Sequence, residues 1–315
     1  MKIPQELIWL STPRRVDHQL VGGKANGLLQ LTKLGLPVPA GFVLTPVFFT
    51  ADLTRQKEQL ITTYRQLEHS LNKPNPAVAV RSSASGEDGR QHSFAGAYDT
   101  YLWVRGIEAL LEKVALCRSS LFSERAASYR AEMSESTTAV PQMAVIVQAM
   151  VPARASGVMM TMNPSNGDRS KITIESTWGL GQLLVDGTIN PDRFLVDKIT
   201  GELIDETITH KAQMLGADEQ HGSGTAVIPV PQPLENAPSL TPKEIEALCG
   251  YGRLLENHFG TPQDIEFATY QNEIFILQAR AETVWSQKQA KVYGLNGRPV
   301  DQIVNTLTNF GKTKT

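Results

Sequence analysis

Apolar residues recur at helical spacing in "VGGKANGLLQLTKLGLPVPAGFVLT". Leu28, Leu31 and Leu34 fall on one side of a predicted helix that Gly35 ends. Gly22 and Gly23 precede Lys24, so the pattern predicts a loop-to-helix junction at that lysine. "LPVPAGFVLT" is extended and leads into a strand, and "PAVAVRSSA" predicts a short buried strand ending at Arg81. Residues 107–132 read as a helix with Leu110, Leu111, Val114, Leu121 and Phe122 on its apolar side. Beyond about residue 140 the chain turns strand-rich. "MAVIVQAMV" (143–151) is apolar except for Gln148, "GVMMTMNP" and "KITIEST" follow, and "TWGLGQLLVDG" is a glycine turn into a short helix. "RFLVDKITGELIDE" predicts two strands joined around Thr200-Gly201. Residues 216–240, rich in Gly, Pro and Ser, read as a mobile loop. A helix then starts with Thr241 as N-cap, Pro242 at its first position and Glu244 closing a capping box, and it ends near Gly260.

The last periodic stretch, "QDIEFATYQNEIFILQAR", is a hairpin. Ile265 and Phe267 point one way, so Glu266 points the other. On the return strand Ile274, Ile276, Gln278 and Arg280 are expected to share one face. A three-residue loop at 271–273 sets Glu266 opposite Gln278, whereas a two-residue loop sets it opposite Leu277. In the first register a carboxylate and an amide carbonyl converge, with Arg280 two residues on. Those are oxygen ligands of the kind Mg²⁺ takes while it also holds nucleotide phosphates. A Glu-Arg cross-strand pair on a solvated face accounts for the same residues.

Composition narrows the class. The chain has 315 residues, 41% of them apolar, and a formal net charge of −2. That suits a soluble globular protein of two domains or one large one with subdomains. No basic excess points to nucleic acid, and no apolar stretch is long enough to span a bilayer. The N-terminal residues lack the regions of a signal peptide. Cys117 and Cys249 read as reduced, packed thiols of a cytoplasmic protein. The six histidines show no metal-ligand spacing.

Five further sites carry candidate chemistry. Lys24, behind two glycines at a helix start, can meet a phosphate or be a solvated lysine. Arg81 can grip a phosphate, with the small residues Ser82, Ser83, Ala84 and Ser85 leaving room for it; Glu87 and Asp88 compete as partners. The segment Ser93-Phe94-Ala95-Gly96 is small enough to fold over a triphosphate. Gln148 can bond an adenine edge or a neighbouring backbone group, and Glu175, just before a glycine turn, leaves the same choice. Trp103 and Trp178 read as core.

Taken together, "VGGKANGL", "AVRSSASGEDGRQHSFAGAYDTYL", "VIVQAMV", "SGVMMTMNP", "IESTWGLGQLLVDGTINPDRF" and "DIEFATYQNEIFILQAR" stand in the order of one family. The chain resembles, over residues 20–285, the N-terminal nucleotide-binding region of phosphoenolpyruvate synthase and pyruvate phosphate dikinase, which rifampicin phosphotransferase and phenylphosphate synthase share. The resemblance implies an α+β, ATP-grasp fold with ATP between two subdomains, residues 1–140 and 141–285, followed by a polar tail or linker, 286–315. It implies that Lys24 and Arg81 contact phosphates and that the backbone of Ser93, Phe94, Ala95 and Gly96 covers them. Gln148 would lie along adenine, Glu175 near adenine or ribose, and Lys211 would approach the nucleotide. Glu266 and Gln278 would hold Mg²⁺, and Arg280 would reach the phosphates.

Two departures stand out. Ala25-Asn26-Gly27-Leu28 replaces the usual Gly-Ala-Asn-Leu. No histidine has the Thr-Ser/Gly-His-Ala context of the family's phosphoryl carrier, and no barrel for pyruvate or antibiotic domain is present. The implied activity is that of the ATP-binding subunit of a dikinase-type phosphotransferase, inactive without a separate phosphohistidine-bearing subunit. It would pass the β-phosphoryl of Mg-ATP to that histidine, for delivery to a phenol-like small-molecule acceptor bound by the partner. A stand-alone subunit is expected, since the chain opens with Met and closes with a polar tail. An excised nucleotide domain and a non-catalytic ATP-sensing subunit are the alternatives.

Overall fold

The computed structural model describes residues 6–84, 99–122 and 142–285. Two antiparallel sheets dominate. The first contains β1 (Leu7–Trp9), β2 (Gly41–Leu44), β3 (Val78–Ala84), β4 (Thr100–Val104) and β5 (Met143–Ala149), in the order β1-β2-β5-β3-β4. Its alternating side chains sort onto two faces. Phe42, Leu44, Val78, Val80, Val145 and Val147 pack under α2 (Leu53–Leu71) and α3 (Ile107–Ser119). Val43, Ala144 and Ile146 face the other way, toward α1 (His18–Lys33).

The second sheet contains β6 (Ala155–Met160), β7 (Lys171–Trp178), β8 (Asp192–Asp197), β9 (Leu203–Thr207), β12 (Gln263–Tyr270) and β13 (Glu273–Ala281). Its order is β13-β12-β6-β7-β8-β9. A four-residue helix, α4 (Gln182–Val185), follows β7, and α5 (Pro242–Phe259) covers the apolar face. The α5 start is built as its sequence predicts. Thr241 Oγ1 accepts from Glu244 N at 3.3 Å, Glu244 Oε2 accepts from Thr241 N at 2.8 Å, and Gly260 ends the helix at φ 71°. Arg154 donates to both Glu244 oxygens at 2.7 Å and ties this helix start to β6. One apolar cluster runs from Leu28 and Leu31 of α1 through Ile265, Phe267 and Ile276 to Leu248 and Leu255 of α5. The lobes therefore share a core, with α1 as the layer between the two sheets. No helix is long and apolar enough to cross a membrane among the described residues. This is the two-lobed α+β arrangement expected of an ATP-grasp fold.

Three expectations need correction. A division at residue 140 would put 143–149 in the second lobe, but β5 is the central strand of the first sheet, between β2 and β3. By strand pairing the division falls after Ala149. The helix predicted over 107–132 ends at Ser119 and passes into a 3-10 turn, Ser120–Phe122; its remainder lies outside the described residues. The loop read over 216–240 contains most of a hairpin, β10 (Gln213–Ala217) and β11 (Thr225–Pro229), with Leu215 opposite Val227. Gly222 and Gly224, at φ 71° and 93°, make its turn, so the glycines mark a reversal rather than a loose segment. The hairpin tip reaches the first lobe: Gly224 N donates to Trp103 O at 2.9 Å, and Ser223 Oγ accepts from Arg105 N at 3.2 Å.

Candidate functional site

The helix that carries Lys24 starts earlier than its sequence predicts, at His18, with the Asp17 side chain accepting from Gln19 N as N-cap. It breaks at Gly22, whose φ of 76° and ψ of 175° are not helical. Lys24 follows that break and lines the cavity between the lobes. The neighbouring serines do not make room for a ligand. Ser82 and Ser83 are fully buried within β3, and Ser83 Oγ bonds the backbone of Val21 and Ala25.

Arg81 stands in the middle of β3 rather than at its end, paired with Ile146 on one side and Thr100 on the other. Its side chain crosses to the second lobe. Nη2 donates to Gln278 Oε1 at 2.7 Å and lies 3.6 Å from Glu266 Oε2, and Nη1 donates to Leu277 O at 3.3 Å. Glu87 and Asp88, its expected competitors, lie outside the described residues.

The hairpin β12–β13 sets Glu266 opposite Gln278, by a route the sequence did not suggest. Its turn has two residues, Gln271 and Asn272, both at positive φ (51° and 65°), with Tyr270 opposite Glu273. A bulge at Leu277 then adds one residue to the return strand, so that Phe267 faces Ile276 and Glu266 faces Gln278. The bulge also corrects the face assignment. Ile274 and Ile276 enter the core, whereas Gln278 and Arg280 line the cavity with Glu266.

Asp264 joins this face, directly opposite Arg280. Its Oδ2 accepts from Arg280 Nε at 2.9 Å and from Nη2 at 2.8 Å. Burial pushes its carboxyl above the ordinary range, against the pull of Arg280. The signal for Asp264 was present, since two residues before Glu266 is the same face of a strand.

The cavity has a volume of about 420 Å³. Arg81, Glu266 and Gln278 meet in its wall, Lys24 and Arg280 also line it, and Ala149, Met150, Val151, Leu180 and Val185 add apolar surface. Asp99, Gln182 and Asp186 also line it and were not singled out by sequence. Gln148 lines it too, with its amide Nε2 donating to Pro39 O at 3.1 Å, so the backbone partner is the one observed. Glu175 lies on the same sheet face as Glu266, with Val158 between them, but not in the cavity wall. Lys211 is not in the cavity wall either: it is buried, donating to Asp192 Oδ1 at 2.5 Å and to Thr209 O at 2.7 Å. Ser93, Phe94, Ala95 and Gly96 lie outside the described residues. Trp178 is core, as expected, with its indole N–H on Leu234 O. Among the described residues no histidine lines the cavity, and no group of three His, Cys, Asp or Glu side chains is placed to hold a metal unaided.

Glu266 and Gln278 do fit a cation that takes its other ligands from elsewhere. Their oxygens already converge on one, the Arg81 guanidinium. Mg²⁺ commonly binds through one or two protein oxygens plus substrate phosphates and water.

The family model described as "Pyruvate phosphate dikinase, AMP/ATP-binding domain" matches residues 51–294. A phosphoenolpyruvate synthase of Aeropyrum pernix is 36% identical, over 90% of this chain and 43% of that protein. The prodigiosin synthesizing transferase PigC of Serratia marcescens is 35% identical, over 92% of this chain and 34% of that protein. A rifampicin phosphotransferase of Streptomyces sp is 35% identical, over 84% of this chain and 34% of that protein. The chain thus spans less than half the length of each.

Proposed function

This chain belongs to the family of pyruvate phosphate dikinase AMP/ATP-binding domains, and from that premise we propose that it holds Mg-ATP between its lobes and presents the β-phosphoryl group to a histidine on a separate subunit. The observation that carries the reading is the lining of the cavity. Lys24, Arg81 and Arg280 line it together with Glu266 and Gln278, and apolar residues from 149–151 and 180–185 line it as well. A nucleotide fits such a lining with its phosphates toward the cations and its base toward the apolar residues.

The chain's own residues would position and neutralise rather than bond covalently. Lys24, Arg81 and Arg280 would grip phosphate oxygens. Arg81, on exchanging its protein acceptors for phosphate, would release Glu266 and Gln278 to a metal. Asp264 would hold the Arg280 guanidinium in one orientation. Mg²⁺, when bound, supplies charge neutralisation across the phosphates. An imidazole nitrogen then forms a bond to the β-phosphorus as the bond to the bridging oxygen of the α-phosphate breaks. AMP departs, and water takes the γ-phosphoryl as phosphate. A phenol-like final acceptor follows from the resemblance to phenylphosphate synthase.

The absence of a histidine from the cavity wall among the described residues supports a carrier outside them. A second reading places that histidine on a further domain of the same polypeptide, and the greater length of the relatives favours it. The test uses β-labelled ATP and Mg²⁺ with the purified chain in extract of its source. Acid-labile label on a different protein is the expected result. Bound ATP with no labelled protein would overturn the separate-subunit reading.

A further inference from the structure

We propose that Ser83 is the positioning residue for Lys24, acting as a hydroxyl inserted into the hydrogen-bond ladder of α1. The proposal rests on the reading of the cleft as a nucleotide site. In an unbroken helix the amide of Ala25 would donate to the carbonyl of Val21, four residues back. Here the Ser83 hydroxyl stands between the two. It donates to Val21 O at 2.7 Å and accepts from Ala25 N at 3.0 Å, so both groups stay satisfied across the break. A side chain inserted into the ladder is a recognised cause of a sharp kink. Gly22 makes the approach possible. A Cβ there would lie 2.3 Å from Ser83 O and 2.6 Å from Ser83 Oγ, and its φ of 76° lies where side chains are strained.

Lys24 sits inside the turn that this hydroxyl spans, one residue before Ala25, and lines the cavity. Ser83 lies two residues after Arg81 on the same strand. One strand therefore places both cations, Arg81 by its own side chain and Lys24 through the hydroxyl. Ser83 is fully buried and does not line the cavity, so an effect on ligand affinity would have to pass through another residue.

A double-mutant cycle read by calorimetry tests this, with ATP and with adenosine as probes. Ser83→Ala should weaken ATP binding by about tenfold, close to the loss from Lys24→Ala, and leave adenosine binding unchanged. The double variant should bind ATP no more weakly than Lys24→Ala alone. Wild-type ATP affinity in Ser83→Ala, or losses that multiply in the double variant, would overturn the proposal. Ser83→Cys keeps the buried volume with a much weaker donor and carries the same cycle if the alanine variant does not fold. A wild-type chain that bound neither probe would sink the nucleotide reading. The positioning claim would then be decided by the Lys24 Cε resonance, which Ser83→Ala should shift; an unmoved resonance would overturn it.

Discussion

Arg81 and Gln278 are joined across the cleft, guanidinium Nη2 to amide Oε1 at 2.7 Å, although they belong to different sheets and stand 197 residues apart. With Leu277 O at 3.3 Å and Glu266 Oε2 at 3.6 Å, a cation of the first lobe is held by three groups of the second.

Replacing Arg81 should therefore act on the ligand and on the lobe contact together. Arg81→Ala should weaken ATP binding by about ten- to a hundredfold, the loss of a charge-assisted hydrogen bond. Arg81→Lys should recover little, because a lysine cannot bridge Gln278 and Leu277 with one planar group. Titration calorimetry with ATP reads both, and wild-type affinity in Arg81→Lys would contradict the geometry.

Metal dependence should reside in the hairpin. Glu266→Gln should weaken Mn²⁺ binding in the presence of ATP by about tenfold or more, followed by electron paramagnetic resonance. ATP affinity without metal should change much less. Equal Mn²⁺ affinity in the variant would remove Glu266 from the ligand set.

Neither thiol should react while the chain is folded. Cys117 and Cys249 are both buried, and burial pushes the Cys249 thiol up to about 11. Iodoacetamide near neutral pH should leave both unmodified in the native protein and label both in denaturant. Rapid native labelling would show that one of these sites opens.

An acid-sensitive contribution to stability comes from β7 and β8. Asp197 accepts from Lys171 at 2.8 Å and from the amides of Thr200 and Ile199, and these hold its carboxyl well below the ordinary range. A depressed carboxylate stabilises fully above its unfolded value, and the gain is lost as pH falls through the folded one. The Lys171 ammonium, raised chiefly by its bond to Asp197, loses its share only as pH rises through the raised lysine value. Asp197→Asn should lower Tm near neutrality and make the fall in Tm below about pH 4 shallower. An unchanged acid limb would assign it to other carboxylates.

Local signals were legible wherever one element sufficed. The Thr241-Pro242-Glu244 start and the Thr200-Gly201 reversal were both readable because their partners lie within a few residues. Strand alternation left Glu266 opposite either Gln278 or Leu277, and the pairing with Gln278 comes from a two-residue turn and a bulge rather than from the three-residue turn expected to give it. A bulge leaves no mark in alternation, since Leu277 is as apolar as the residues 274–276 before it. Partners supplied from afar were not legible either. Arg81 finds its acceptors on β13, Lys211 finds Asp192, and Ser83 serves a helix 58 residues before it. Composition misled over 216–240, where turn-forming glycines hid two short strands.

The bulge at Leu277 also makes one position of β13 a length buffer. Removing Leu277 would leave Ile276 toward the core and Gln278 toward the cavity as consecutive residues of a regular pleat, still opposite Phe267 and Glu266. A deletion of one residue between Gln278 and Arg280 would instead bring those two side chains to opposite faces. Shortening at 277 should thus spare the facing set and sacrifice the carbonyl that Arg81 uses, which separates the spacing of this strand from its contact with the other lobe.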